Sequence, residues 1–189
     1  MNEAPSEKHL EEWVVENITH VVPHAAVLAR QLRLPSGVLD VLAYASQHNM
    51  LHVLELKKGL VDTRTVVQVL RYMNDLQGIY QEVVGTMFVM GVLDRREFDY
   101  TFEKKSHIGG YVIGRDIESA HVLYACEAAN IAALTYTYDG QQYAFNVLAT
   151  GTYKALAHEH ERFRHPPLTL AMKEIVFQEL SRARKAGQL

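Results

Sequence analysis

Val53-Leu54-Glu55-Leu56-Lys57 sets two charged residues inside a run that is otherwise apolar. The run reads as a β-strand from Met50 to Lys57, ending at Lys58-Gly59, because branched and apolar residues favour the pleated state and glycine ends it. Successive strand side chains alternate between faces, so Glu55 and Lys57 must point the same way and share one site. A second acid, Asp40, lies in Gly37-Val38-Leu39-Asp40-Val41-Leu42, again in an apolar strand. Charge within a core strand is costly unless it has a partner, a metal or a place at the sheet's edge.

Working outward, residues 25–34 fit a strand, and Pro35-Ser36-Gly37 is a turn signal before the apolar run Val38–Tyr44, which predicts a hairpin. Upstream, Leu10, Trp13, Val14 and Ile18 recur at helical spacing over 7–19, with Ser6 as N-cap. Downstream, a helix starts at Asp62 or Thr63. Val66, Leu70, Met73 and Leu76 form its apolar stripe, and Gln68, Arg71 and Tyr72 share another face. Residues 85–106 mix apolar and charged content and read as an insertion or lid. A short strand at Gly109–Gly114 and a helix over Ile117–Ala129 follow. A hairpin of Ile131–Tyr138 and Gln142–Leu148 then turns at Asp139-Gly140, a pair suited to type I′ geometry. A last helix over Leu168–Arg184 begins after Pro166-Pro167. The sum is an α/β fold, a central mixed β-sheet flanked by helices, forming a single domain over 1–189.

Composition agrees: 48% hydrophobic and 22% charged residues in 189 suit one α/β domain with a real core. No apolar run is long enough to cross a bilayer, so no membrane partner is expected. Met1–Lys8 lacks the blocks of a signal peptide, so a cytoplasmic location is expected. The lone Cys126 reads as a buried small apolar residue. A net charge of -3 gives no global basic field; a site built from carboxylates is neutralised only when cations bind, so distribution matters more than the sum.

If the Asp40 and Glu55 strands are antiparallel neighbours, the two acids can share a cation. Hard oxygen ligands select magnesium or manganese. Such an ion lowers the pKa of a bound water and stabilises charge growing on a phosphate, while Lys57 holds the attacking oxygen or the phosphate. Phosphodiester hydrolysis follows.

Taken in order, Gly37-x-x-Asp40, Glu55-Leu56-Lys57-Lys58-Gly59 and Gln68-x-x-x-Tyr72 resemble the PD-(D/E)XK nuclease superfamily, and within it the RecB-like nuclease domain of prokaryotic mismatch-directed endonucleases. The resemblance is densest between Glu7 and Tyr72, and it implies a restriction-endonuclease-like core for the α/β fold. It implies Asp40 and Glu55 as metal ligands for Mg2+ or Mn2+, the Leu56 carbonyl as a further ligand, Lys57 as the catalytic lysine, and Gln68 and Tyr72 as the helix motif. It also implies a glutamate from the first helix, with Glu7-x-x-Leu10 fitting and Glu11 competing. Leu39 stands where the motif's proline would be. The implied function is metal-dependent hydrolysis of DNA in repair, recombination or phage or defence DNA processing; the alternative is a catalytically silent nucleic-acid-binding or assembly module with a nuclease fold. RNA would serve the same residues, since metal chemistry on phosphate does not read the sugar.

Arg30, Arg33, Lys58, Arg64 and Arg71 are candidate phosphate contacts, against the plainer reading of solvated charge. Tyr136, Tyr138 and Tyr143 could stack bases, although an aromatic stripe on strands is more often core. His158 and His160 do not share a helix face, and with His165 read as a solvated stretch rather than a zinc site. Gly109-Gly110 and Gly114 lack the spacing of a phosphate-binding fingerprint. The late hairpin offers an edge for a homodimer, which would suit two-fold DNA.

Overall fold

A computed structural model describes residues 5–45, 50–89, 91 and 108–151. The first strands are β1 (Ala25–Leu34), β2 (Gly37–Ala45) and β3 (Met50–Leu56), a run of antiparallel neighbours. The remaining strands of the main sheet are β5 (Ile108–Gly114), β7 (Ile131–Tyr138) and β8 (Tyr143–Thr150), giving the order β1-β2-β3-β5-β7-β8. β3, β5 and β7 run parallel, and β8 returns antiparallel on β7. A small second sheet pairs β4 (Leu60–Val61) with β6 (Asp116–Ile117).

Parallel strands need crossovers, and helices supply them: α3 (Thr63–Val89) leads from β4 to β5, and α4 (Ala120–Ala128) leads from β6 to β7. One core lies between these helices and the sheet, where Val66, Val69, Tyr72 and Leu76 of α3 and Val122 and Cys126 of α4 meet Leu51 and Val53 of β3. The other face is covered by α1 (Glu7–Glu16) and α2 (Ile18–Val21), whose Leu10, Val14 and Ile18 pack with Leu54 and Leu56. β3 is therefore buried along its whole length, as central strands covered on both faces must be. No described helix is long and apolar enough to cross a membrane.

The mixed sheet, the hairpin and the Ser6 cap, which accepts the His9 N–H at 3.1 Å, match the expectations from sequence. Asp62 caps α3, accepting from the Thr65 N–H and hydroxyl. Several expectations are corrected. The first helix breaks at Asn17, whose side-chain amide donates to the Trp13 carbonyl. On α3 the buried stripe is rotated: Leu70 is 36% exposed, while Val69 and Tyr72 are buried, so Tyr72 does not share a solvent face with Arg71. Of the supposed insertion at 85–106, residues 85–89 continue α3, and 92–106 lie outside the described residues. α4 starts three residues late because Asp116–Ile117 are drawn into pairing with β4.

The late hairpin also differs. Tyr138 pairs with Tyr143 across a four-residue connection. Only Gly140, at φ 105°, has positive φ there, whereas a type I′ turn needs it at both central residues. The Asp139 carboxylate instead accepts the N–H groups of Gln141 and Gln142, both at 2.8 Å, an Asx-type closure that holds its pKa below the ordinary value. The helix over 168–184, the histidines at 158, 160 and 165, and with them the single-domain reading of 1–189 fall partly or wholly outside the described residues.

At Gly110 of β5, side chains of α3 pack close on the sheet. A Cβ there would lie 2.7 Å from Val69 Cγ1, 2.8 Å from Ile131 Cγ1 and 2.9 Å from Met73 Sδ. Gly110→Ala is expected to destabilise by about 1–3 kcal/mol through overpacking. The measurement is the urea midpoint at constant m-value; an unshifted midpoint would mean that the helix gives way freely.

Candidate active site

The register that pairs Val41 with Leu54 brings Asp40 level with Glu55, and there the β2–β3 ladder stops. The alternation of β2 slips at the same point. Leu39 and Leu42, three residues apart, join the α3-side core, while Val41 faces α1. The Leu56 N–H is taken up by the Asp40 carboxylate, whose Oδ2 accepts it at 2.8 Å. An acid thus stands at the opening of the ladder and satisfies a backbone group left there.

Glu55 is 2% exposed, and its Oε1 accepts a 2.6 Å hydrogen bond from Lys57 Nζ. This is the same-side pairing that strand alternation requires. Burial, then the nearby Asp40 charge, push the Glu55 carboxyl up to about 7, against the pull of Lys57. Asp40 is raised too, chiefly by burial, with the Leu56 N–H opposing. Burial alone would lower the Lys57 ammonium, but its bond to Glu55 and the charges of Glu55, Asp40 and Glu7 outweigh that and hold it above the usual value.

Among the described residues, none supplies a hydrogen bond to the buried Glu55 Oε2. A buried carboxylate oxygen without a donor is expensive, and a cation is the ligand that would satisfy it. Among the described residues no three His, Cys, Asp or Glu side chains form a ready-made cage. Two carboxylates, with water and substrate oxygens completing the shell, is the coordination style of magnesium rather than of structural zinc.

Beside Asp40 lies an open cleft of about 410 Å³, lined by Glu7, Lys8, Glu11, Arg30, Gln31, Asp40 and Leu56. Glu7 stands on its rim, with its carboxylate accepting the Lys58 N–H at 3.0 Å. Glu11, 8% exposed, accepts from Arg30 Nε at 2.9 Å and Gln31 Nε2 at 2.7 Å. The two candidate helix glutamates therefore divide the work: Glu7 holds the turn after Lys57, and Glu11 holds β1. From α3, Gln68 Nε2 donates to Tyr72 Oη at 2.7 Å, and Tyr72 donates to the Val38 carbonyl at 2.8 Å, two residues before Asp40. Gly37 belongs to the same contact, since at φ 146° a Cβ would meet Tyr72 Oη at 2.9 Å. The Gly37, Asp40, Gln68 and Tyr72 pattern is thus one packed unit.

The proposed phosphate contacts separate. Arg30 lines the cleft and donates to Glu11, while Lys58 does not line it and meets it only through its backbone N–H on Glu7. Arg33, Arg64 and Arg71 are exposed, and none of them lines the cleft. Tyr136 and Tyr143 are buried, which favours the core reading, while Tyr138 packs against Tyr143 with ring centroids 4.7 Å apart. Tyr136 does more than fill space: its hydroxyl donates to the Lys58 carbonyl at 2.7 Å, opposite the Glu7 contact. Sequence reasoning missed Lys8, Gln31 and this role of Tyr136. Only Lys8 carried a signal, as the cation next to Glu7.

Fold and site together define a restriction-endonuclease-like α/β architecture, with an acid, a second acid and a lysine gathered where its central strands part. Residues 6–99, which include all of these groups, match the family model described as the endonuclease NucS C-terminal domain. Two solved structures are similar in fold. One is a repair endonuclease from Pyrococcus abyssi, with 16% identity, a TM-score of 0.50, and coverage of 70% of this chain and 47% of that one. The other is an EndoMS-dsDNA2 complex, with 18% identity, a TM-score of 0.50, and coverage of 71% of this chain and 46% of that one. The chain spans less than half the length of either. No curated protein matches it.

Proposed function

We propose that this chain is a divalent-metal-dependent nuclease domain of the PD-(D/E)XK class that hydrolyses phosphodiester bonds in DNA. The observation that carries the reading is the convergence of Asp40, Glu55 and Lys57 at the opening of the β2–β3 ladder, with a buried oxygen of Glu55 that no described residue serves as donor. The match of residues 6–99 to an endonuclease domain supports it, as does the fold shared with the EndoMS-dsDNA2 complex.

Asp40, Glu55 and the Leu56 carbonyl would hold the ion, Mg2+ or Mn2+. When bound, that ion supplies water activation and neutralisation of charge on the phosphate. The remaining work falls to the chain. Lys57, kept protonated by its carboxylate neighbours, offers an ammonium donor to an anionic oxygen. Glu7 and Tyr136 grip the Lys58 peptide from both sides and so fix the strand end from which Lys57 projects. Gln68 and Tyr72 fix the strand leading into Asp40. Lys8 and Arg30, on the cleft, are the cations best placed to meet a phosphate backbone.

The test is cleavage of single-stranded, double-stranded, mismatched and branched DNA, and of RNA, each with Mg2+, Mn2+ or a chelator. Cutting that needs the metal and stops with chelator is expected, and the substrate ranking follows from it. Absence of cutting on every substrate would turn the assignment to a binding module that keeps the fold.

A further inference from the structure

Among the described strand residues, Gln31 is the only non-glycine with left-handed backbone, at φ 46°. β1 pairs Arg30 with Val41 and Leu32 with Leu39, so Gln31 stands opposite Asp40. In a regular strand Arg30 and Gln31 would point to opposite faces. Here both donate to Glu11, at 2.9 and 2.7 Å, because the left-handed residue brings the second side chain round to the side of the first. The same Gln31 nitrogen donates to Asp40 Oδ1 at 3.1 Å, one proton to each carboxylate. Asp40 is thereby held at both oxygens, Oδ1 by Gln31 and Oδ2 by the Leu56 N–H. Each oxygen keeps a lone pair. Left-handed backbone is disfavoured for L-residues and persists where the surroundings over-determine it, commonly at functional sites.

We propose that Gln31 is a positioning residue: through the series Arg30, Glu11, Gln31, Asp40, its amide sets the orientation in which Asp40 receives a divalent cation. This rests on the metal-dependent reading above. A side chain that orients a ligand without touching the metal typically controls affinity by 10–100-fold, which sets the scale expected here.

The test is calorimetric titration of the protein with Mn2+, beside thermal unfolding of the metal-free protein, for wild type, Gln31→Gly, Gln31→Asn and Asp40→Asn. Glycine accepts the backbone at this position and removes the amide. Asparagine also tolerates it, but its shorter amide cannot span both carboxylates. Both Gln31 variants are expected to unfold within about 5 °C of wild type and to bind Mn2+ at least about 10-fold more weakly. Wild-type affinity in both Gln31 variants, with binding lost in Asp40→Asn, would overturn the role of Gln31 and leave the metal site standing. A wild-type protein that takes up no Mn2+ would overturn both.

Discussion

Replacing Lys57 with alanine is expected to slow phosphodiester cleavage on the order of 10³-fold while leaving the fold intact. The Lys57 ammonium is a charged donor at the site, and its bond to Glu55 at 2.6 Å sets it beside the proposed metal ligand. Its side chain is 28% exposed, so truncation opens little core. The loss should appear in the single-turnover rate at saturating Mn2+, with circular dichroism unchanged. Below saturation the loss should be larger still, because Glu55 without its ammonium partner titrates higher and binds a cation less well. Asp40→Asn should fail differently. Its carbonyl can still accept the Leu56 N–H, but its amide meets the Gln31 donor, and one ligand charge is gone. A Lys57→Ala enzyme that cleaves within about threefold of wild type, well short of a lost transition-state donor, would remove the lysine from the mechanism.

The second large effect is on stability. Glu55 titrates near 7 in the fold, against 4.5 ordinarily, so between those values the folded chain binds more protons than the unfolded one. Stability must then fall as pH rises from about 4.5 to about 7 and level off above, by about 3 kcal/mol at most from this residue. Asp40 shifts in the same sense. Glu55→Gln removes the buried charge, so the metal-free variant should be more stable than wild type at pH 8 and similar at pH 5. Added Mn2+ should reverse the ranking, because it stabilises only the form with an ionised site. The measurement is Tm across pH 5–8, with and without Mn2+. Parallel wild-type and variant profiles would show that the Glu55 carboxyl is not perturbed by the fold.

Much of this site was legible because its signals are local. Strand alternation put Glu55 and Lys57 on one side, and a short turn made β1 and β2 neighbours, requirements of chain geometry that hold wherever the strands lie. Where the reading failed, the missing term was tertiary. Leu70 is as apolar as Val69, and only the position of the sheet decides which is buried. Residues 116–117 look like a helix start until β4 offers them a pairing edge. Asp139-Gly140 suits a type I′ turn by composition, yet the Tyr138–Tyr143 register sets a longer loop that a carboxylate can close.

The sequence by itself determined that this protein is an α/β chain with two acids and a lysine held in apolar strands, since periodicity and the cost of buried charge depend on the order of residues alone. Only the tertiary structure decided that Asp40 takes the Leu56 N–H where the ladder opens, that Glu7 and Tyr136 clamp Lys58, and that Gln31 adopts a left-handed backbone to bridge Glu11 and Asp40. Those contacts join residues distant along the chain, and nothing in the local preferences of glutamine or tyrosine signals a partner that folding alone brings within reach.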